Sequence, residues 1–384
     1  MNPIRVVTVI HGYYPRVGGA ERQMQFLAPR LRERGIELFI ITRRYDRSLK
    51  PYEEIDGVPV YRLPVPGPKA VASLVFTLYA LFTILRLRPH MIHAHEFISP
   101  STVALLSKRW LGIPFVVTLH RSGPLGDVQK LSRKTSGRLR LDSLRKQTSS
   151  FVLISREIEE ELTGIGIPPE RMTMITNGVD TNVFTPLSLD EKVSLRQKLG
   201  LPESALIGIY TGRLAPEKRV DQLIQVWNKV RSDFPGAELL VLGQGTEDAK
   251  LRQLAGEGVR FLGGVDNVTP YLQASDLYVL PSIAEGLSVA MLEAMSCGVP
   301  ALVTDVGGAR EVITHGENGW IIPPDQIVDL EQAIRYLLEN QEVRTSIGTA
   351  GRKRVMEAFS VKLAVEKLFD LYHQVVGKSE AYHV

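Results

Sequence analysis

The sequence predicts an α/β protein of two doubly wound domains, each built on a parallel sheet. Three observations carry this expectation. Short apolar runs recur along the chain and alternate with longer stretches of helical periodicity, the pattern of parallel strands joined by crossover helices. The 384 residues exceed what one hydrophobic core usually organises. The charge is also divided. Residues 1–185 carry 26 Lys and Arg against 16 Asp and Glu, a balance of +10, whereas residues 186–384 carry 20 against 26, a balance of −6. Halves of opposite sign imply different partners for the two domains.

The first apolar run, RVVTVI (5–10), is short, lacks a small-residue cleavage site and reads as a buried strand, not a signal peptide. A glycine pair, Gly18 and Gly19, then opens AERQMQFLAPRLRERG, whose Met24, Leu27 and Leu31 have helical spacing. ELFIIT (37–42) is the next strand. The longest uncharged run, residues 70–85, is somewhat short for a membrane span of about 20 residues and reads as a buried or membrane-facing amphipathic helix. MIHAH, FVVTLH, FVLIS and MTMIT complete the strands of the first half. The link to the second domain is expected between residues 182 and 191, where FTPLSLDE mixes Pro, Ser and charge. Strands LIGIYTG, AELLVLG, VRFLGG, LYVLPS and PALVTD follow, separated by helical stretches. No short-period repeat or low-complexity segment interrupts the pattern.

Composition narrows the class. Hydrophobic content of 44% and charged content of 23% fit a soluble globular protein. The single cysteine, Cys297, cannot form an internal disulfide, which fits a reducing cytoplasm, and it reads as a buried structural thiol. GQG at 243–245 is no dinucleotide fingerprint, and neither a phosphate-binding P-loop nor a nucleophile elbow occurs. Basic residues with few aromatics make a poor nucleic-acid reader.

Ligands of doubly wound sheets bind outside the carboxyl ends of the strands. With two such sheets, the cleft between the domains is the expected site. The notable residues gather at those ends. His11, Gly18, Gly19, His95 and His120 follow strands of the first half; Arg213, Lys218, Gly243, Gly245 and Glu285 follow strands of the second. In PSIAEGLSVAMLEAM, Glu285 stands at an exposed strand-to-helix turn and Glu293 eight residues on, inside the helix. Free N–H groups at a helix start attract anions, and a carboxylate beside them accepts hydroxyl protons. Such a site suits a ligand with both phosphates and hydroxyls. Arg213 and Lys218, five apart in GRLAPEK, form a pair able to close on a diphosphate. His93 and His95 share one strand face, but two histidines fall short of a metal site and no D-x-D element occurs. Residues 130–146 hold Lys130, Arg133, Lys134, Arg138, Arg140, Arg145 and Lys146 against Asp142, beside Leu125, Leu131, Leu139, Leu141 and Leu144. This segment reads either as a solvated face or as a patch for anionic lipid or an anionic acceptor.

The chain resembles the retaining GT-B glycosyltransferases of family 4. The resemblance rests on the E-x7-E stretch, with GYYPRVGGAE (12–21), HAHE (93–96), VVTLH (116–120), ITNGVDTNVF (175–184), GRLAPEK (212–218), VLGQG (241–245) and RFLGG (260–264) in the same order. It covers residues from about 5 to about 376 and says little about the substrate. It implies a domain at 1–185, on the acceptor side, onto which a last helix at about 360–384 packs back. A nucleotide-sugar domain is implied at 186–359. It further implies sugar transfer from a nucleoside diphosphate to a hydroxyl acceptor (a glycan, a lipid-linked molecule or a small one) with no metal or other cofactor, as in polysaccharide or glycolipid biosynthesis. Arg213 and Lys218 would hold the diphosphate, Glu285 sugar hydroxyls, Glu293 ribose hydroxyls, and His120 would lie near the reacting sugar. Gly18, Gly19, Gly243, Gly245, Gly286, Leu287 and Ser288 would line the donor; Ser288 replaces a frequent second glycine. Lys130, Arg133, Lys134, Arg138 and Arg140 would face the acceptor or the inner membrane surface, giving a cytoplasmic, peripheral enzyme. The alternatives are a GT-B sugar-nucleotide epimerase or hydrolase, and a non-catalytic sugar-nucleotide binder at a membrane surface.

Overall fold

The computed structural model describes residues 3–16, 18–123 and 126–381. The chain forms two compact units. One runs to Asn177 and resumes at Lys362; the other is Gly178–Val361.

Among the described residues, the first unit holds an eight-stranded sheet of order β3-β4-β2-β1-β5-β6-β7-β8. Its strands are β1 (Ile4–Val9), β2 (Ile36–Arg44), β3 (Tyr52–Ile55), β4 (Val58–Pro64), β5 (Met91–His95), β6 (Phe115–Leu119), β7 (Ser150–Leu153) and β8 (Met172–Met174). Strands β5, β6 and β7 are buried at every residue, which is why they read as largely apolar runs without polar alternation, the two histidines of β5 being hydrogen-bonded inside. All pairs are parallel except β3 with β4. That edge hairpin was not expected. Pro59, Pro64 and Arg62 break its apolar pattern. Arg62 is nonetheless 1% exposed because it pairs with Glu53 and donates to the carbonyl of Tyr14 at 2.6 Å.

The second unit holds a six-stranded sheet among the described residues, of order β11-β10-β9-β12-β13-β14. These are β9 (Ile207–Thr211), β10 (Glu238–Leu242), β11 (Val259–Gly263), β12 (Leu277–Leu280), β13 (Ala301–Thr304) and β14 (Trp320–Ile322). The three-residue β14 was not among the strands expected from sequence. Lys192 and Arg196 lock the helix Leu189–Lys198 to this unit through Asp276, each at 2.6 Å.

The unit boundary lies earlier than residue 185. Val179 N donates to Phe359 O and Val361 N to Val179 O, while Phe184 O accepts from Ser296 Oγ at 2.7 Å. Residues 178–184 are thereby tied to the second unit. Part of the expected link is itself a helix start, since Ser188 and Glu191 form a reciprocal capping box. The helix Val361–Ala381 belongs to the first unit from Lys362 onward. Its Ala364, Leu368, Leu371, Tyr372 and Val375 are buried at the spacing of one helix face.

Candidate active site

In each sheet the strand order reverses about the unit's first strand. In the second unit β9 leads outward to β10 on one side, and β12 lies on its other side. Loops after such neighbouring strands diverge and leave a crevice. The loop after β9 carries Gly212 to Lys218, and the loop after β12 carries Pro281 to Ser288. Across this point Lys218 Nζ donates to Glu285 Oε1 at 2.5 Å, with side chains 15% and 14% exposed. The pair therefore shows little of itself to water, and Glu285 is more enclosed than the exposed turn expected from sequence. Arg213 is more open and pairs with Glu217 at 3.2 Å. Its backbone carbonyl accepts from Tyr210 Oη at 2.8 Å. Tyr210 and Tyr278 are buried beneath the site. Burial above all, together with the charge of Glu285, pushes both phenols up and keeps them protonated.

Glycines let these loops touch. A Cβ on Gly243, whose φ is +148°, would lie 1.8 Å from the Gly212 carbonyl oxygen. One on Gly245 would lie 2.0 Å from that of Leu214. Gly308 N donates to Gly286 O at 2.7 Å, tying the loop after β13 to that after β12. Ser288 Oγ accepts from Met291 N at 3.2 Å. It caps the helix Val289–Ser296, so its hydroxyl already serves the backbone. Leu287 is buried. Glu293 is buried, 4% exposed. Cys297 is buried too, its thiol pushed up to about 12 by burial and then by Glu293. A shallow depression is lined by Glu285, Gly286, Ser288, Thr304 and Val306.

The first unit repeats the arrangement. Its strand order reverses between β1 and β5, and there His11 Nδ1 lies 3.1 Å from Glu96 Oε2. Glu96 takes a left-handed φ of +77°, a conformation side chains other than glycine adopt at a cost. Burial pushes its carboxyl up, but the His11 hydrogen bond and nearby cationic groups outweigh this and hold it below its ordinary value. Sequence reasoning quoted Glu96 within HAHE without giving it a role. Its place directly after a strand at the reversal was the available signal.

Beside this pair lies a stack of histidines. His93 and His95 stack at 4.4 Å between ring centroids, and His95 and His120 at 5.0 Å. His95 Nδ1 and His120 Nε2 share a hydrogen bond of 2.8 Å. His93 is held at both nitrogens, by Tyr372 Oη at 2.7 Å and Thr118 Oγ1 at 2.6 Å. Burial lowers His93 to about 3 and His120 to about 4, and lowers His95 strongly. All three are neutral at pH 7. Among the described residues no group of three or more His, Cys, Asp or Glu is placed to hold a metal ion. Gly18 stands just ahead of the helix Gly19–Glu33, where Glu21 fills the space above it. A Cβ on Gly19 would meet nothing within 4 Å.

The basic segment forms two helices, Asp127–Ser132 and Thr135–Gln147. Only part of the apolar face expected there reaches solvent: Leu141 and Leu144 are buried in the core, Leu139 is exposed, and Leu125 lies outside the described residues. Arg140 donates to Ser101, Arg145 and Lys146 pair with Asp142, and Lys130 with Asp127. Arg133, Lys134 and Arg138 are exposed.

Two family descriptions match the sequence: Glycosyltransferase Family 4 over residues 17–183 and Glycosyl transferases group 1 over residues 191–354. The chain is 29% identical to the N-acetyl-alpha-D-glucosaminyl L-malate synthase of Bacillus anthracis, over 94% of this chain and 96% of that one. It is 26% identical to a GDP-mannose-dependent phosphatidylinositol monomannoside mannosyltransferase of Corynebacterium glutamicum, over 96% and 97%. Its fold is similar to that of Anabaena HepE in complex with UDP-glucose, with a TM-score of 0.81 and 20% identity over 97% and 100% of the two chains.

Proposed function

The chain belongs to glycosyltransferase family 4 and has the GT-B fold, and on that premise we propose that it moves a sugar from a nucleoside diphosphate to a hydroxyl acceptor with retention of anomeric configuration. The observation that carries this reading is the Lys218–Glu285 pair at the reversal of the second sheet, among loops joined through glycines. A diphosphate there would meet Lys218 and Arg213. These cations offset the charge that builds on the leaving group as the anomeric C–O bond breaks, a contribution of about 3–4 kcal/mol for one well-placed donor. Glu285, accepting only, suits sugar hydroxyls as well as Lys218. No metal is needed, because the two cations supply the charge a metal would bring.

In this reading the leaving phosphate oxygen takes the acceptor's proton, and the acceptor oxygen attacks on the face the diphosphate leaves. No covalent nucleophile is required. His120, neutral at pH 7, would act on the sugar through a hydrogen bond rather than through charge. His95 would fix its tautomer through their shared bond. The donors bound or named by similar proteins include UDP-glucose and GDP-mannose, so UDP- and GDP-sugars head the candidates.

A thermal-shift panel of UDP-, GDP- and ADP-sugars tests the proposal. A true donor at 100 times its Kd stabilises the protein by about 2.7 kcal/mol. No shift with any nucleotide sugar, nor release of nucleoside diphosphate in a product assay, would overturn it.

A further inference from the structure

One helix of the first unit turns a row of apolar side chains to solvent. Along Lys69–Leu87, Val71, Leu74, Leu78, Tyr79, Phe82 and Leu85 are 48–61% exposed. Residues 71, 74, 78, 82 and 85 recur at three- and four-residue spacing, so they form a single stripe. The opposite face is firmly seated, with Phe76, Ala80 and Ile84 fully buried. The stripe is therefore a second apolar face, not the result of a loosely packed helix. The helix contains no Asp or Glu, and Lys69, Arg86 and Arg88 stand at its ends, exposed. The Arg86 guanidinium lies 4.3 Å from the Phe82 ring centroid.

Its neighbours extend the surface. The helix Ser99–Leu111 packs beside it, and Thr135–Gln147 packs beside that. Ser73 and Ser99 share a hydrogen bond of 3.0 Å, and Arg140 donates to Ser101. Ser99–Leu111 ends in exposed Arg109, Trp110 and Leu111. Thr135–Gln147 adds exposed Arg138 and Leu139. Asp142 on that helix is already paired with Arg145 and Lys146.

We propose that this helical layer docks on an anionic lipid bilayer, with the Val71–Leu85 stripe entering the interface and Lys69, Arg86, Arg88 and Arg109 meeting the headgroup phosphates. An apolar strip edged by cations, with a tryptophan at its margin, matches the layered polarity of a membrane surface. A full span does not fit, because crossing would pull Phe76, Ala80 and Ile84 out of the core. A second copy fits poorly, because residues 1–185 carry a balance of +10 and facing copies would set like charges together. The contact differs from a purely basic patch: several cations of residues 130–146 are tied to the protein, so the stripe supplies the anchoring and the cations the preference for anionic lipid.

Flotation of the full chain with two kinds of vesicle is the test: phosphatidylcholine alone, and phosphatidylcholine mixed equally with phosphatidylglycerol. The chain should float with the mixed vesicles and keep part of that binding at high salt. Leu74→Glu with Leu78→Glu should reduce binding more than about tenfold, and Arg86→Glu with Arg88→Glu should remove the preference for anionic lipid. Val328→Glu, at an exposed apolar position of the second unit, should bind like the parent and controls for added charge. Absence of binding to mixed vesicles, undiminished binding of the Leu74/Leu78 variant, or a dimer in light scattering that this variant dissociates would each overturn the proposal.

Discussion

Replacing Lys218 by Met separates the structural and chemical roles of the Lys218–Glu285 pair. The two atoms lie 2.5 Å apart and the side chains are about 85% enclosed. Removing one partner leaves the other charge enclosed without compensation, which typically costs about 3–5 kcal/mol. At the lower end, and with about 2–4 °C lost per kcal/mol in a unit of this size, the transition of Gly178–Val361 should fall by roughly 6–12 °C. Turnover should drop by about 100-fold or more, the scale for losing one charge-stabilising group. Glu285→Gln should behave similarly. The double variant carries neither charge, so its melting should recover much of the loss while its turnover stays low. Calorimetry of the four proteins gives the coupling, and release of nucleoside diphosphate gives the rate. Additive losses of stability, with a coupling below about 0.5 kcal/mol, would refute the enclosed pair. Near-parent turnover in both single variants would refute the donor-site reading.

Gly243→Ala should destabilise the second unit, because its Cβ would meet a carbonyl at 1.8 Å, whereas Gly19→Ala should leave melting unchanged and lower turnover; the reverse outcome would remove Gly19 from the donor site. The buried histidines make stability pH-dependent: His93 and His120 fall to about 3 and about 4 from 6.5. Between about pH 6.5 and 4 the unfolded chain binds more protons, and stability falls as pH falls. Glu161, raised to about 7 by burial and then by Glu157 and Asp127, and Asp127, raised by burial and then by Glu96, oppose this, but two carboxyls act against three imidazoles. A melting temperature of the first unit that is level or rises from neutral pH to about pH 5 would contradict the balance. Activity should survive EDTA; loss on chelation restored by Mg²⁺ or Mn²⁺ would show that Arg213 and Lys218 do not replace a metal.

The parallel strands were legible because burial on both faces leaves mainly apolar runs, as in β6 and β9. The β3–β4 hairpin was not, because Arg62 is buried through partners that no local pattern reveals. Candidate residues were legible as positions after strands. Their pairings were not: Lys218 and Glu285 are 67 residues apart, and His93 meets Tyr372 across 279. Spacing placed Glu293 within its helix but not the burial of its side chain, since an E at that position reads the same whether its helix turns it outward or inward. In residues 130–146, composition showed the charge but not that Asp127, Asp142 and Ser101 engage part of it.

The helix Val361–Ala381 has a consequence for the order in which the protein is made. It completes the core of the first unit and supplies the tyrosine that holds His93, yet it leaves the ribosome after the whole second unit. The second unit is one uninterrupted segment and can close as soon as it emerges. The first, though synthesised earlier, must wait with that side of its core uncovered. At about 5–20 residues per second, the more than 180 residues between Asn177 and Lys362 impose a delay of roughly 10–40 s. Nascent chains stalled before residue 362 should therefore present an open first unit to chaperones beside a finished second one.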